Sequence, residues 1–269
     1  MRAAMRSHAQ YCPVAKATEV LGDRWTLLIV REMLGGATGF NELQRGLPGI
    51  SRSVLTDRMR MLERAEVVER RTGPTGRTLE YRLTSAGRDL QPVVQALGEW
   101  GATWSVTEPR AEELDPYLLT VWMARHVDHE RLPPDRIVVQ FDFRDPKQRY
   151  WMVLEPSEVS VCLQHPGFDV DLKIAVDTTA LYRIYLGRAE LGGTVRAGQL
   201  TMSGPPTLQT GFGDWFTWSA FAPASRTAQD RRAAASRLPG ADRVPIAEAR
   251  AAAGRLTHRR RRPPLSPGG

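Results

Sequence analysis

Gly49-Ile50-Ser51-Arg52-Ser53-Val54-Leu55-Thr56-Asp57-Arg58-Met59-Arg60-Met61-Leu62-Glu63-Arg64 is the stretch on which the reading of this 269-residue chain turns. Ser51 is a good helix N-cap, and the helix it opens is predicted to run to about Ala65. Leu55, Met59 and Leu62 recur at i, i+4 and i+7, so they form one buried stripe. Ser53, Asp57, Arg60 and Arg64 then point away from that stripe, with Arg52, Thr56 and Arg58 on its flanks. An amphipathic helix with several arginines is, taken alone, an ordinary solvated surface helix.

Its neighbours change that reading. Upstream, Val14, Ala17, Val20 and Leu21 have helical spacing and stop at Gly22-Asp23. A denser apolar helix from Trp25 to Leu34 ends at Gly35-Gly36, and a short helix follows at about 39–45. Leu47-Pro48-Gly49 is a turn. Downstream, Val67–Arg71 and Leu79–Leu83 read as strands around a turn-rich tip, Thr72-Gly73-Pro74-Thr75-Gly76. A single long helix is expected from Thr84 to about Ser105. Helix, helix, helix, turn, helix and hairpin in this order are a winged helix-turn-helix. In that fold the N-terminal part of the fourth helix enters the major groove of double-stranded DNA. Ser51, Arg52, Ser53 and Thr56 are the candidates for that surface, because Arg reads guanine edges and Ser or Thr bonds bases or phosphates. Arg58 and Arg60 are expected on phosphates, with Arg71 and Arg77 beside the hairpin tip.

The runs Cys12-Pro13-Val14, Leu21-Gly22-Asp23-Arg24-Trp25-Thr26, Phe40-Asn41-Glu42-Leu43, Gly49-Ile50-Ser51, Leu55-Thr56-Asp57-Arg58-Met59, Leu62-Glu63, Val67-Val68-Glu69-Arg70 and Tyr81-Arg82-Leu83-Thr84-Ser85-Ala86-Gly87 resemble the HxlR family of bacterial regulators over about residues 10–105. The resemblance implies a homodimer on a pseudo-palindromic site, paired through the first helix and the last long one. That last helix offers Leu90, Val94, Leu97, Trp100 and Trp104, residues that equally suit a core or an interface with a second domain. Some members of the family sense oxidants through a cysteine near Cys12. Such a sensor needs a thiolate favoured by positive charge, for which Lys16, one turn on, is the candidate. The plainer reading is a cysteine with no role.

From about residue 115 the pattern becomes α+β, with a helix at 115–129, strands near 136–143, 149–154, 159–164, 170–176 and 200–203, and short helices between and after them. Asp169-Val170-Asp171-Leu172, Leu181-Tyr182-Arg183-Ile184-Tyr185-Leu186-Gly187, Gly198-Gln199-Leu200-Thr201-Met202-Ser203-Gly204 and Phe212-Gly213-Asp214-Trp215-Phe216 resemble the sterol-carrier-protein type 2 fold. That resemblance implies an apolar tunnel, which Leu118, Trp122, Tyr150, Met152, Tyr185 and Trp215 would line. The same residues would equally fill a closed core.

Charge divides the chain in the same places. Residues 1–106 carry a net +4, residues 107–225 a net −5 and residues 226–269 a net +8, within a total of +7. A basic head and an Arg-rich tail suit a polyanion, and the acidic middle does not. Three parts are therefore expected: a DNA-binding and dimerising domain at 1–106, a sterol-carrier-like ligand domain at 107–225, and a disordered tail at 226–269. Two cysteines, Cys12 and Cys162, exclude a disulfide framework. No apolar run reaches the ~18 residues of a membrane span, and no secretory signal is legible, so the expected place is the cytoplasm, at the nucleoid. His126, Asp128, His129 and Glu130 lie close together without a third ligand at a metal-binding spacing. Neither a phosphate loop nor a nucleophile turn is present, so no catalytic residue, metal or cofactor is expected. The reading is a dimeric transcriptional repressor whose second domain senses an apolar small molecule. Its rival is a lipid-binding or carrier module that uses the winged helix for targeting or dimerisation.

Overall fold

The computed structural model describes residues 8–73, 79–105 and 107–236. They form two compact units, divided between Leu97 and Gly98.

In the first unit, α1 (Pro13–Leu21), α2 (Thr26–Leu34), α3 (Phe40–Arg45) and α4 (Arg52–Arg64) precede the antiparallel hairpin of β1 (Val68–Thr72) and β2 (Leu79–Leu83). Leu55, Met59 and Leu62 of α4 are at most 1% exposed, as their spacing predicts. They share a core with Ile29, Val30 and Met33 of α2 and with Leu43 of α3. Ser51 caps α4 by accepting from the Val54 amide at 3.2 Å. Gly49 takes a positive φ of 85° in the preceding turn, a conformation that glycine adopts without a Cβ penalty. The Tyr81 amide donates to the Thr38 carbonyl at 2.9 Å, which ties the hairpin to the start of α3.

The helix expected at 84–105 is three pieces: α5 (Ser85–Arg88), α6 (Gln91–Trp100) and a π-helical turn at Gly101–Ser105. Pro92 explains the first break. It has no amide to donate, and its ring would meet the carbonyl of Arg88, where α5 stops. The unit boundary also falls earlier than 106, because Gly98 onward packs with the second unit.

The second unit begins its regular core with α7 (Pro116–Arg125), which Asp115 caps by accepting from the Leu118 amide at 3.0 Å. Strands β3 (Ile137–Arg144), β4 (Lys147–Leu154), β5 (Val159–Cys162), β6 (Leu172–Val176) and β7 (Leu200–Ser203) form a sheet in the order β5-β4-β3-β6-β7. Only the β3–β6 pairing in it is parallel. Helices α8 (Thr178–Tyr185), α9 (Leu191–Arg196) and α10 (Pro206–Gly211) interleave with these strands. Alternation along β3 sends Ile137, Val139, Phe141 and Phe143 to the face that packs with α7, α8 and the aromatic run Phe212–Phe216. Val138, Trp151 and Val153 form a smaller cluster on the other face, joined by Cys162 and Val170.

The tail departs from expectation at its start. Ala222–Ser236 is a helix, α11, in which Ala222, Ser225 and Ala228 are buried. An Ala-rich sequence favours helix, and its small side chains allow close packing, so few large apolar residues are needed. The rest of the expected tail, 237–269, lies outside the described residues. The helix expected to reach 129 stops at Arg125, so the His126–Glu130 group is not on one helix. His126 Nδ1 lies 2.8 Å from the Trp122 carbonyl, and His129 Nδ1 lies 3.1 Å from that of Pro156. Among the described residues, no three His, Cys, Asp or Glu side chains are grouped to hold a metal. Among them too, no helix is long and apolar enough to cross a membrane.

Two measurements check this packing. A Cβ on Gly87 would stand 2.2 Å from the Val67 carbonyl oxygen, a backbone atom with nowhere to go. Gly87→Ala should therefore cost about 1–3 kcal/mol in the first unit's unfolding by urea, as overpacked sites do. In the second unit, burial pushes the Tyr182 phenol up to about 12, against the Asp115 amide, whose donation at 3.3 Å favours the phenolate. A phenol held protonated in the fold stabilises fully below its unfolded value near 10 and loses that contribution as pH rises toward 12. The second unit's urea midpoint should fall between pH 10 and 12, and Tyr182→Phe should flatten that fall.

Candidate nucleic-acid interface

The core stripe of α4 fixes which of its residues face outward. Ser51, Arg52, Ser53, Asp57, Arg60 and Arg64 are exposed, and Thr56 and Arg58 are half-buried. The N-terminal turn is internally organised. Ser51 Oγ and Ser53 Oγ lie 3.1 Å apart, and Thr56 Oγ1 donates back to the Arg52 carbonyl at 2.8 Å. Arg52 extends over the Phe40 ring, 4.7 Å from its centroid, and donates to Asn41 Oδ1 at 3.3 Å. Stacking and a single long hydrogen bond orient the guanidinium while leaving most of its donors free.

The other expected contacts sort differently. Arg58 pairs through Nη1 with Asp23 in the turn between α1 and α2, a contact that ties α4 to that turn. This pair orients Arg58 at the foot of the helix face on which the phosphate contact is expected. Arg60 makes only a loose, exposed pair with Asp57 at 3.7 Å, which leaves it available to an anion. Arg71 is exposed on β1 and pairs with Glu69 at 2.8 Å. Its neighbour Arg70 pairs with Glu63 of α4 and lies over the Tyr81 ring, contacts that join the hairpin to the helix. The Glu63 hydrogen bond is the main reason that the Arg70 guanidinium is held above its ordinary pKa. Arg77 lies outside the described residues.

The residues expected at a dimer face divide in two. Leu90 and Val94 pack against the first unit's core. Leu97, Trp100 and Trp104 are each about half exposed, and Val93, missed in the sequence, is with them. Val93 and Leu97, at i and i+4 on α6, belong to the first unit, and Trp100 and Trp104 to the second. Tyr11 and Val14, next to and within α1, are also exposed. Cys12 is exposed as well, at the N-cap of α1. The Lys16 ammonium, expected beside its thiol, is held instead by both Glu19 oxygens at 3.1 Å.

The residues expected around an apolar tunnel sit largely within packing. Met152, Tyr185 and Trp215 belong to the second unit's buried core, with Trp122 and Tyr150 partly buried against it. Leu118 is buried. Trp122 stacks on Tyr185 at 6.1 Å and meets Tyr182 edge-on at 6.3 Å.

Comparison with known proteins places the first unit. The model of the HxlR-like helix-turn-helix family matches residues 20–109. YvaP of Bacillus subtilis, an uncharacterised HTH-type transcriptional regulator, is 36% identical over 100 residues, which cover 36% of this chain and 93% of YvaP. An uncharacterised HTH-type transcriptional regulator of Mycobacterium tuberculosis is 44% identical over 91 residues, covering 33% of this chain and 56% of that protein. Among solved structures, the reduced form of the transcriptional regulator YodB from B. subtilis is 35% identical, with 36% of this chain and 96% of that one covered and a TM-score of 0.32. With nearly the whole of YvaP matched at this identity and the family model spanning α2 to α6, the chain belongs to the HxlR-like helix-turn-helix family.

Proposed function

We propose that this protein is a transcriptional repressor that binds double-stranded DNA as a homodimer and whose second unit senses an apolar small molecule. The observation that carries the DNA-binding part is the outward turn Ser51–Ser53 of α4, with Arg52 held over Phe40 and still rich in free donors. In a helix-turn-helix this turn is the part that meets base edges. Arg60, free of a close partner, supplies phosphate contact one face round. The second copy pairs through Val93, Leu97, Trp100 and Trp104, large apolar residues each about half exposed. The effector is apolar because the rings it would displace, Trp122 with the buried Tyr182 and Tyr185, pack in the second unit's apolar core. It regulates only by binding one DNA-affinity state better than the other. A repressor results where the operator overlaps the promoter.

Selection of genomic DNA fragments on the purified protein tests the first step. A specific fragment should be recovered, and Arg52→Ala should weaken it by about 1–3 kcal/mol while relaxing preference at one base pair. Arg60→Ala should weaken all sequences alike. Recovery of no fragment, or equal recovery with Arg52→Ala, would count against the reading. Leu97→Asp with Trp100→Asp should give a monomer in sedimentation and lose most affinity for a two-half-site fragment. A dimer that persists would move the interface elsewhere. An apolar effector should appear by native mass spectrometry as a mass lost on organic extraction, with changed fragment affinity afterwards.

A further inference from the structure

Helix α11 sits between two parts of the second unit that the proposed function needs to connect. On one side it meets the segment that continues α6. The ring of Phe221, just before α11, lies so close to Gly98 that a Cβ there would stand 2.3 Å from it. The Arg231 guanidinium lies 5.3 Å from the centre of the Trp104 ring. Between these points the chain forms the π-helical turn Gly101–Ser105, with Ala102 buried. On the other side α11 meets the end of α8. Gly187, at a φ of 70°, leaves room for Ala222, whose Cβ would be 2.7 Å from a Cβ at that position. Gln229 Nε2 donates to the Arg188 carbonyl at 3.3 Å, and Arg188 Nη1 donates to the Thr107 carbonyl at 2.9 Å. The Tyr185 carbonyl, one turn earlier, accepts from the Ser219 amide at 3.1 Å.

From this arrangement we infer that α11 is a clasp, which holds the end of the α6 helix in its π turn and releases it when the end of α8 shifts. The inference rests on the reading of α6 as a dimer seam of a DNA-binding protein, and adds how the second unit acts on it. A π turn fits one more residue into the turn than an α-helix does, and single π turns inside helices mark functional sites. Conversion of 101–105 to α-helix would rotate Trp104 relative to Trp100 and so change the exposed apolar surface that these two rings offer a second copy. The trigger sits on Tyr185, which stacks on Trp122 in the aromatic cluster and carries the backbone bond to Ser219. A molecule that displaces these rings would shift Gly187 and Arg188, and α11 with them. The element with two arrangements is thus the π turn, and both the aromatic cluster and the seam bear on it.

The test uses the full chain, with Gly98→Ala to push Phe221 away and Gly98→Ala/Phe221→Leu to restore the room. Two readouts are taken on each: amide hydrogen exchange across 98–105, and affinity for a genomic DNA fragment selected on the wild-type protein. Gly98→Ala should raise exchange about tenfold or more, as opening of a locally held turn does. It should also shift fragment affinity by about fivefold or more, a coupling within the usual allosteric range. The pair should return both toward wild type. Where Gly98→Ala alters the circular dichroism of the whole chain, Phe221→Ala replaces it, with the same two shifts expected. Unchanged exchange would show that no clasp holds the turn. Faster exchange with unchanged affinity, or an affinity change that the pair does not reverse, would equally overturn the proposal. A wild-type protein that selects no fragment would instead overturn the DNA-binding reading on which it rests.

Discussion

The burial of Leu55, Met59 and Leu62 is the constraint from which the rest of the first unit follows. Three large side chains removed from water contribute about 1.5–3 kcal/mol each, far more than any exposed ion pair on the same helix. Once that stripe is committed to the core with α2 and α3, the rotation of α4 is fixed. Arg52 and Arg60 then have no inward option. The polar contacts add orientation to a face already chosen: Asp23 on Arg58, Glu63 on Arg70, and Phe40 with Asn41 under Arg52.

The fold of this unit was legible because each element carries its own local signal. Helical spacing, a serine cap, a glycine turn and a bounded hairpin all agree, and such agreement across levels is what lets a sequence specify one structure. The candidate site was legible only in part. Spacing told which face of α4 points outward, but not which arginines are spent on neighbours. The partner of Arg58 is 35 residues earlier in the chain, at a distance that periodicity does not reach. The misplacement of Val94 has a simpler origin. Val94 continues the inward face of Leu90 four residues earlier, and Val93 faces out with Leu97, a division between neighbouring positions that spacing alone does not settle. The tail misled for the opposite reason: Ala, Ser and Arg without large apolar residues read as unable to build a core, yet Ala222, Ser225 and Ala228 need only a closely approaching neighbour to be buried.

The second unit shows how far pattern reading goes on its own. Its strands and helices fell close to their expected places, since β6 alternates clearly and β3 is a mostly apolar run buried on both faces. Its use did not follow. The aromatic residues marked as tunnel lining are the same types that a closed core requires, and sequence spacing does not separate the two. What the structure adds is connection: Trp122 to Tyr185, the end of α8 to α11, and α11 to the turn that extends α6.

The central claim is that the outward face of α4 meets the phosphates and base edges of a duplex. Its most direct measurement is the salt dependence of the full chain's affinity for a selected DNA fragment. If several phosphates are contacted by each copy of a dimer, log K should fall linearly with log salt concentration, with a slope of about −5 or steeper. A slope near zero, at whatever affinity, would contradict the account.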